Sequence, residues 1–502
     1  MSTARAFSRR APGRRLALVL ALCVGVAGAQ TPEEWFDSGR QAVERAKSQA
    51  PITGRARNVI LFVGDGMGVS TVTAARILDG QRRGRRREEH SLAFERLPYL
   101  ALSKTYSANQ QTPDSAPTMT AMITGIKSND GAISVTAQAV REDYRTVAGN
   151  EAMTLLEHAE RAGLATGVVT TARLTHATPA ACYAHVPDRD WEADADLPAD
   201  ARAAGFPDIA RQLIEFRHGD GLEVALGGGR SKFLPVGETD PEYPDRRGER
   251  RDGRNLAAEW ASAPGAAYVW NLAQFDAVDP RTTRRLLGLF ERSHMQYEHD
   301  RGRDRGGEPS LAQMTVKAIE LLAARDSGYV LMVEAGRIDH AHHAGNAFRA
   351  LTDTIALSEA VQAALERVDL RDTLVIVTAD HSHVFTLAGY PRRGNDILGK
   401  VIAAGEAGFS RDRDGRPYTT LGYANGPGHR AGARPDLGGV DTANPDYRQE
   451  ATVPLDMETH GGEDVTVFAG GPMAHLFRGV IEQHVIYHVM AEALGLADLP
   501  AR

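Results

Sequence analysis

Cysteine is nearly absent: the 502-residue sequence holds two, Cys23 and Cys182. Cys23 falls in an N-terminal segment expected to be cleaved, so one thiol remains and no intrachain disulfide can form. That excludes a disulfide scaffold and leaves packing and bound metals to stabilise the fold. Cys182 reads as a buried structural thiol. No apolar run approaches the ~20 residues that span a bilayer. The C-terminal residues Leu496 to Arg502 carry no hydrophobic tail, which predicts no lipid or membrane anchor. A basic excess is missing too: 58 Lys and Arg stand against 65 Asp and Glu, for a net charge of −7. A chain of this sign is not built to bind nucleic acid through its phosphates. Internal repeats and low-complexity tracts are also missing.

The N-terminus is the one locally basic stretch. Arg5, Arg9, Arg10, Arg14 and Arg15 precede a short apolar run, Leu16 to Val26, and then Ala27-Gly28-Ala29. This order is that of an export signal over residues 1–29, with a mature chain starting at Gln30 and periplasmic or secreted. Loss of five arginines and no acid takes the net charge from −7 to −12.

What remains has the composition of a large folded protein, 42% hydrophobic and rich in glycine, which suits many tight strand-to-helix turns. Residues 30–52 form an N-terminal arm whose helix, 32–49, carries Trp35, Phe36 and Val43 as apolar positions. Short β-rich runs then recur: Asn58 to Val63, Thr166 to Thr171, Leu222 to Leu226, Tyr329 to Val333 and Thr373 to Thr378. Helical stretches lie between them, such as Glu151 to Ala162 and Ser310 to Arg325. Strands alternating with helices predict an α/β fold: a large, mostly parallel central sheet with helices on both faces. Such sheets carry their sites at the carboxyl ends of the strands. The charge run 81–90 reads as a solvated loop. Residues 389–455, rich in Gly, Pro, Asp and Asn, read as an insertion into a core of residues 53–388 and 456–495.

Ligand-type side chains gather where strands end. Asp65 follows the first run, Glu334 the fourth, and Asp380 and His381 the fifth. Asp339 and His343 are four apart and share a face of a helix. His460 precedes the apolar run Val465 to Ala469. Mixed carboxylate and imidazole donors suit zinc, and an all-oxygen set suits magnesium. Each residue alone is as well explained by a cap, a turn or a solvated helix. Their joint occurrence at separate strand ends is what points to metal. Ser115, in Asp114-Ser115-Ala116-Pro117, falls at a helix N-terminus, where backbone N–H groups favour an anion.

Six ordered strings carry a resemblance: NVILFVGDGMG (58–68), PDSAPTMTAMITG (113–125), VVTTARLTHATPAACYAHVPDRDW (168–191), VEAGRIDHAHHAG (333–345), VTADHSHVF (377–385) and ETHGGEDVTVFAGGPMAHLF (458–477). The chain resembles the alkaline phosphatases, the animal-type branch above all, from about residue 32 to 495. The resemblance implies hydrolysis of small phosphate monoesters through a phosphoserine on Ser115, with Arg189 clamping the phosphate. It implies one zinc on Asp339, His343 and His460, and a second on Asp65, Asp380 and His381. It implies magnesium on Asp65, Thr178 and Glu334, with His176 and His340 orienting these shells. A calcium ion on Glu242, the Phe290 carbonyl, Glu291 and Glu308 is implied as well; the alternative there is a surface acid cluster. In that stretch the chain departs from the family pattern: 292–307 is longer, and Glu308 stands where Asp is usual. Pro117 and Met119 replace commonly small residues, which bears on how the helix starts. The insertion matches the family's crown at a dimer interface, with Tyr390 reaching toward the partner, so a homodimer is implied.

Related enzymes fit less well. A sulfatase needs Cys or Ser in a C/S-x-P-x-R string, and Ser115 is followed by Ala-Pro-Thr-Met. Diesterases tend to use a threonine nucleophile and to lack the magnesium donors that Thr178 and Glu334 supply here. A non-catalytic binding protein would be expected to lack Ser115 or Arg189.

Overall fold

The computed structural model describes Met1 and residues 31–84 and 88–499; the expected export signal over 1–29 lies, but for Met1, outside the described residues. The chain divides into two units, 1–49 and 50–502. The first holds the helix Pro32–Ser48. Thr31 caps it in a reciprocal box with Glu34, and Trp35, Phe36 and Val43 are exposed.

The second unit contains the strands β1 (Asn58–Gly64), β2 (Tyr99–Lys104), β3 (Ala165–Arg173), β4 (Val224–Gly228), β5 (Ala266–Val269), β6 (Arg285–Leu289), β7 (Tyr329–Ala335), β8 (Thr373–Ala379), β9 (Ser382–His383), β10 (Phe385–Leu387), β11 (Leu421–Gly426), β12 (Ala451–Pro454), β13 (His460–Gly461), β14 (Val465–Gly470) and β15 (Gly479–Glu482). Ten of them form one sheet in the order β15-β2-β14-β8-β1-β7-β3-β4-β6-β5. Only β14 runs antiparallel to its neighbours.

Alternation along β1 sends its residues into two separate cores. Val59, Leu61 and Val63 pack with Met119, Met122 and Met490 on one face. Ile60 and Phe62 pack with Leu78, Met314 and Leu351 on the other. A sheet buried on both faces reads as a continuous apolar run, as NVILFV does. Each fully buried aliphatic side chain contributes about 1.5–3 kcal/mol, so two cores of this extent replace the absent disulfides. This is the α/β architecture, large, mostly parallel and covered by helices on both faces, that the alternating pattern predicts.

Register then aligns the strand ends. Gly64 of β1 pairs with Ala335 of β7 and Ala379 of β8. The next residues, Asp65 and Asp380, therefore leave the sheet at one level. Glu334 remains on β7 rather than beyond it, and pairs with Thr170 of β3.

Within 389–455 there is no helix among the described residues; β11 joins β10 on one side and β12 on the other. The charge run at 81–90 is less free than its composition suggests. The Gln81 side chain donates to the Asn395 carbonyl (2.6 Å) and accepts from the Ile397 amide, and Glu88 accepts from the Gly394 amide.

Candidate metal centre

The nucleophile candidate sits as its local sequence dictates. Asp114 caps the helix Ser115–Thr124 by accepting from the Ala116 amide (2.8 Å), and Pro117 lies in the first turn, where it costs no hydrogen bond. Met119 is buried in the core and leaves the helix start regular. Ser115 Oγ lies 3.1 Å from His381 Nε2 and 3.4 Å from Asp65 Oδ1. His381 Nε2 is in turn 3.5 Å from Asp65 Oδ1 and 3.2 Å from Asp380 Oδ2.

A second group of donors stands beside it. Asp339 Oδ1 is 3.3 Å from both His343 Nε2 and His460 Nε2, which are 3.1 Å from each other. Asp339 and His343 share a face of the helix Arg337–His343, as the four-residue spacing predicts. Bonds of 2.0–2.1 Å to a tetrahedral ion imply donor-to-donor edges of about 3.3 Å. Both sets have those edges.

The histidine tautomers point the same way. Nδ1 of His343 donates to the Glu458 carbonyl (2.5 Å), and Nδ1 of His460 to the Pro113 carbonyl (2.8 Å). Nδ1 of His381 faces the Ser382 carbonyl at 3.3 Å. Each ring therefore turns an Nε2 lone pair toward the centre.

A third, oxygen-rich set adjoins the second. Asp65 and Glu334 lie together with His176. Thr178 is buried, and its Oγ1, Asp65 Oδ2, Asp380 Oδ2 and Glu334 Oε1 have no hydrogen-bond partner. His176 Nε2 accepts from Arg189 Nη2 (2.9 Å), so its Nδ1 carries the proton and offers no lone pair here. It orients rather than ligates. His340 lies against His176 and His294, ring centroids 5.5 and 4.1 Å away, and is held down to a pKa of about 3 by burial and Arg337. Arg189 is further steered by Asp114 Oδ2 at 3.4 Å.

Electrostatics favours cations here. Burial and the carboxylates of Asp380, Asp339 and Glu334 hold the Asp65 carboxyl well above its ordinary range. Burial pushes Glu334 up to about 7. Several buried carboxylates converging with orphaned oxygens must be neutralised, by protons or by bound cations. The donor chemistry fits two mixed nitrogen and oxygen sites and one oxygen site, the second mixed site and the oxygen site sharing Asp65.

Three residues were not singled out from the sequence: His383, its partner Glu458, and Asp304. His383 donates from Nε2 to Asp339 Oδ1 (2.8 Å) and from Nδ1 to Glu458 Oε2 (2.5 Å). Despite burial, these two carboxylates raise it to about 10. With both nitrogens protonated it braces Asp339 and does not ligate. The signal was period-two spacing: His381 and His383, and Glu458 and His460, alternate on extended segments. β9 and β13 pair antiparallel with His383 opposite His460, which folds both pairs inward.

The remote acid site is rearranged. Glu242, Glu291 and Asp304 come together, and both Asp304 carboxylate oxygens are buried without partners. Burial and the two glutamates raise Asp304 to about 6. Glu308 is not in that group; its carboxylate accepts from the Gln296 amide. Phe290 immediately precedes Glu291 and is fully buried. Asp304 lies in the segment that departs from the family pattern, so no matching position pointed to it.

A family model described as alkaline phosphatase matches residues 56–496. The chain is 45% identical over 471 residues to alkaline phosphatase from Gadus morhua, covering 92% of this chain and 97% of that protein. It is 44% identical over 492 residues to the tissue-nonspecific isozyme of Homo sapiens, covering 95% and 92%. Among solved structures, alkaline phosphatase from Thermus thermophilus superposes with a TM-score of 0.62 at 28% identity, over 90% of this chain and 94% of that one. A metal-dependent hydrolase on an α/β sheet is the class that fold and site define. The chain belongs to the alkaline phosphatase family and is a phosphomonoesterase.

Proposed function

We propose that this enzyme hydrolyses phosphate monoesters through a phosphoserine on Ser115, at two zinc ions and one magnesium ion. The observation that carries this is Ser115 Oγ within 3.1–3.4 Å of His381 and Asp65, inside the second donor set. Asp339, His343 and His460 would hold the first zinc, and Asp65, Asp380 and His381 the second. Asp65, Thr178 and Glu334 would hold magnesium. Bound there, these ions lower hydroxyl pKa values and neutralise charge on the phosphoryl group.

The chain supplies the rest. The Arg189 fork binds two non-bridging oxygens, aimed by His176 and Asp114. The Ser115 proton passes to solvent, Oγ bonds to phosphorus, and the ester P–O bond breaks as the leaving oxygen takes up a solvent proton and departs as the alcohol. Water then displaces Oγ from the opposite side, yielding phosphate with net retention. The transition state is loose, so positioning and charge neutralisation dominate.

Hydrolysis of p-nitrophenyl phosphate, beside bis-p-nitrophenyl phosphate and p-nitrophenyl sulfate, tests the class. Acid-trapped phosphoenzyme from wild type and none from Ser115→Ala is the expected result. A dominant diesterase or sulfatase rate, or phosphoenzyme in the alanine variant, overturns the reading.

Export follows from the basic and apolar N-terminus; a mature chain starting elsewhere than Gln30 would contradict it. No helix among the described residues is long and apolar enough to cross a membrane. A homodimer is supported by apolar side chains left exposed on β2 and β15, Leu100, Leu102 and Val480, and by Tyr390 at 90% exposure. A monomer by sedimentation would refute it. Calcium is proposed on Glu242, Glu291 and Asp304 with the Phe290 carbonyl, Glu308 lying behind.

A further inference from the structure

The carbonyl of Asp380 lies just past the last paired position of β8, Ala379, so no strand ladder holds it. On the ligand side this turn is well pinned. Asp380 Oδ1 accepts from the Gly66 and His381 amides, each at 2.9 Å. On the far side, one side chain reaches the carbonyl: Gln483 Nε2 donates to Asp380 O at 2.7 Å. Gln483 is fully buried and comes from 103 residues away, between β15 and the helix Val485–Leu494. An acceptor partner fixes which end of its carboxamide faces Asp380.

The same segment also packs on the helix that carries the nucleophile, at its C-terminal end. Helix Val485–Leu494 packs on the end of helix Ser115–Thr124 so closely that a Cβ at the capping Gly125 would meet Tyr487 Cδ1 at 2.7 Å. Gln483 thus touches the residue next to His381, and the helix behind it touches the far end of the helix that Ser115 begins.

We infer that Gln483 is a positioning residue, which sets the Asp380–His381 turn, and with it the second metal, against Ser115. It touches neither substrate nor metal and acts through the Asp380 carbonyl. The inference rests on the metal-assisted Ser115 reading above.

The test compares the wild-type enzyme with Gln483→Met, which keeps the length and removes the donor. Both are loaded with Co²⁺ and followed by visible absorption, retention of the second cobalt against a chelator, and p-nitrophenyl phosphate kinetics. A displacement of about 1 Å costs on the order of 100-fold, so the expected loss in kcat is roughly 10- to 100-fold with KM within about threefold. The cobalt bands should shift and the second cobalt should leave faster. A folded Gln483→Met with wild-type kcat, or with reduced kcat but an unchanged cobalt spectrum, overturns the inference. If Gln483→Met does not fold, Gln483→Asn, with its donor on a shorter arm, carries the test: a shifted spectrum supports the inference and a wild-type spectrum overturns it. Failure of wild type itself to bind cobalt or form phosphoenzyme would sink the proposed mechanism instead, so the two failures are distinct.

Discussion

The two halves of the metal centre are held by different kinds of structure. Asp65, Asp380 and Glu334 are set by strands β1, β8 and β7, buried on both faces and locked in register. Asp339, His343 and His460 depend on a short helix, a two-stranded ribbon and the insertion. His343 is tied to Glu458 through both chains, its amide-side carbonyl accepting from Glu458 N at 3.0 Å. Tyr423 of β11 bonds His342 at 2.8 Å, and Gln449 accepts from the Ala347 amide at 2.7 Å. The sheet holds one half by hydrophobic burial. The other half is held by polar contacts from segments far apart in sequence, so single substitutions reach it more readily.

The largest effect should come from the nucleophile seated against the sheet-held half. Ser115→Ala is expected to lower kcat by about 10⁴-fold or more, since the residue acts as part of a unit. The metal content, measured by mass spectrometry, should stay the same; loss of metal would mean that Ser115 holds the site together. Next, Glu458→Gln breaks the brace on His383 in the other half. Such partners cost about 10- to 100-fold in metal affinity or activity. Phosphoenzyme should still form on Ser115 while the first metal leaves more easily under chelation. Equal loss of both metals would erase the distinction between the halves.

A smaller effect is expected away from the centre. Asp304→Asn should abolish the rise in melting temperature that calcium confers, with kcat within about twofold. A full calcium response in that variant would remove Asp304 from the site.

The smallest effect concerns pH. Glu160, buried beside Glu223, is raised to about 8, first by burial and then by that neighbour. Glu223 is raised to about 7, chiefly by burial. The folded state therefore holds protons that the unfolded chain has released above about 4.5. Stability from these groups is full below that value and is lost as pH rises toward 8, by up to about 1.4 kcal/mol per unit and group. Glu160→Gln should flatten that slope in urea melts between pH 5 and 8. An unchanged slope would show that Glu160 is ionised throughout.

Legibility in the sequence followed the same division. Residues next to buried apolar runs could be placed because a run such as NVILFV predicts a strand, and parallel strands bring their carboxyl ends together. The spacing of Asp339 and His343 was equally plain, being a local helix period. The braces were not legible. Glu458 meets His383, 75 residues away, only because β9 and β13 pair, and no local pattern announces that pairing. Asp304 reached its group in the same way, from a segment without helical or strand periodicity.

By itself the sequence determined the fold class and the family, and it named most of the donor residues that the fold brings together. Each follows from local periodicity or from residue strings whose order survives in the linear chain. Tertiary structure alone decided which side chains turn a lone pair toward the centre and which brace their neighbours. His381 and His383 are two residues apart and chemically identical. One faces backbone with Nδ1 and turns a lone pair inward, while the other lies between two carboxylates and is protonated on both nitrogens. That difference is set by what surrounds each ring, and the surroundings come from chain segments that only folding brings together.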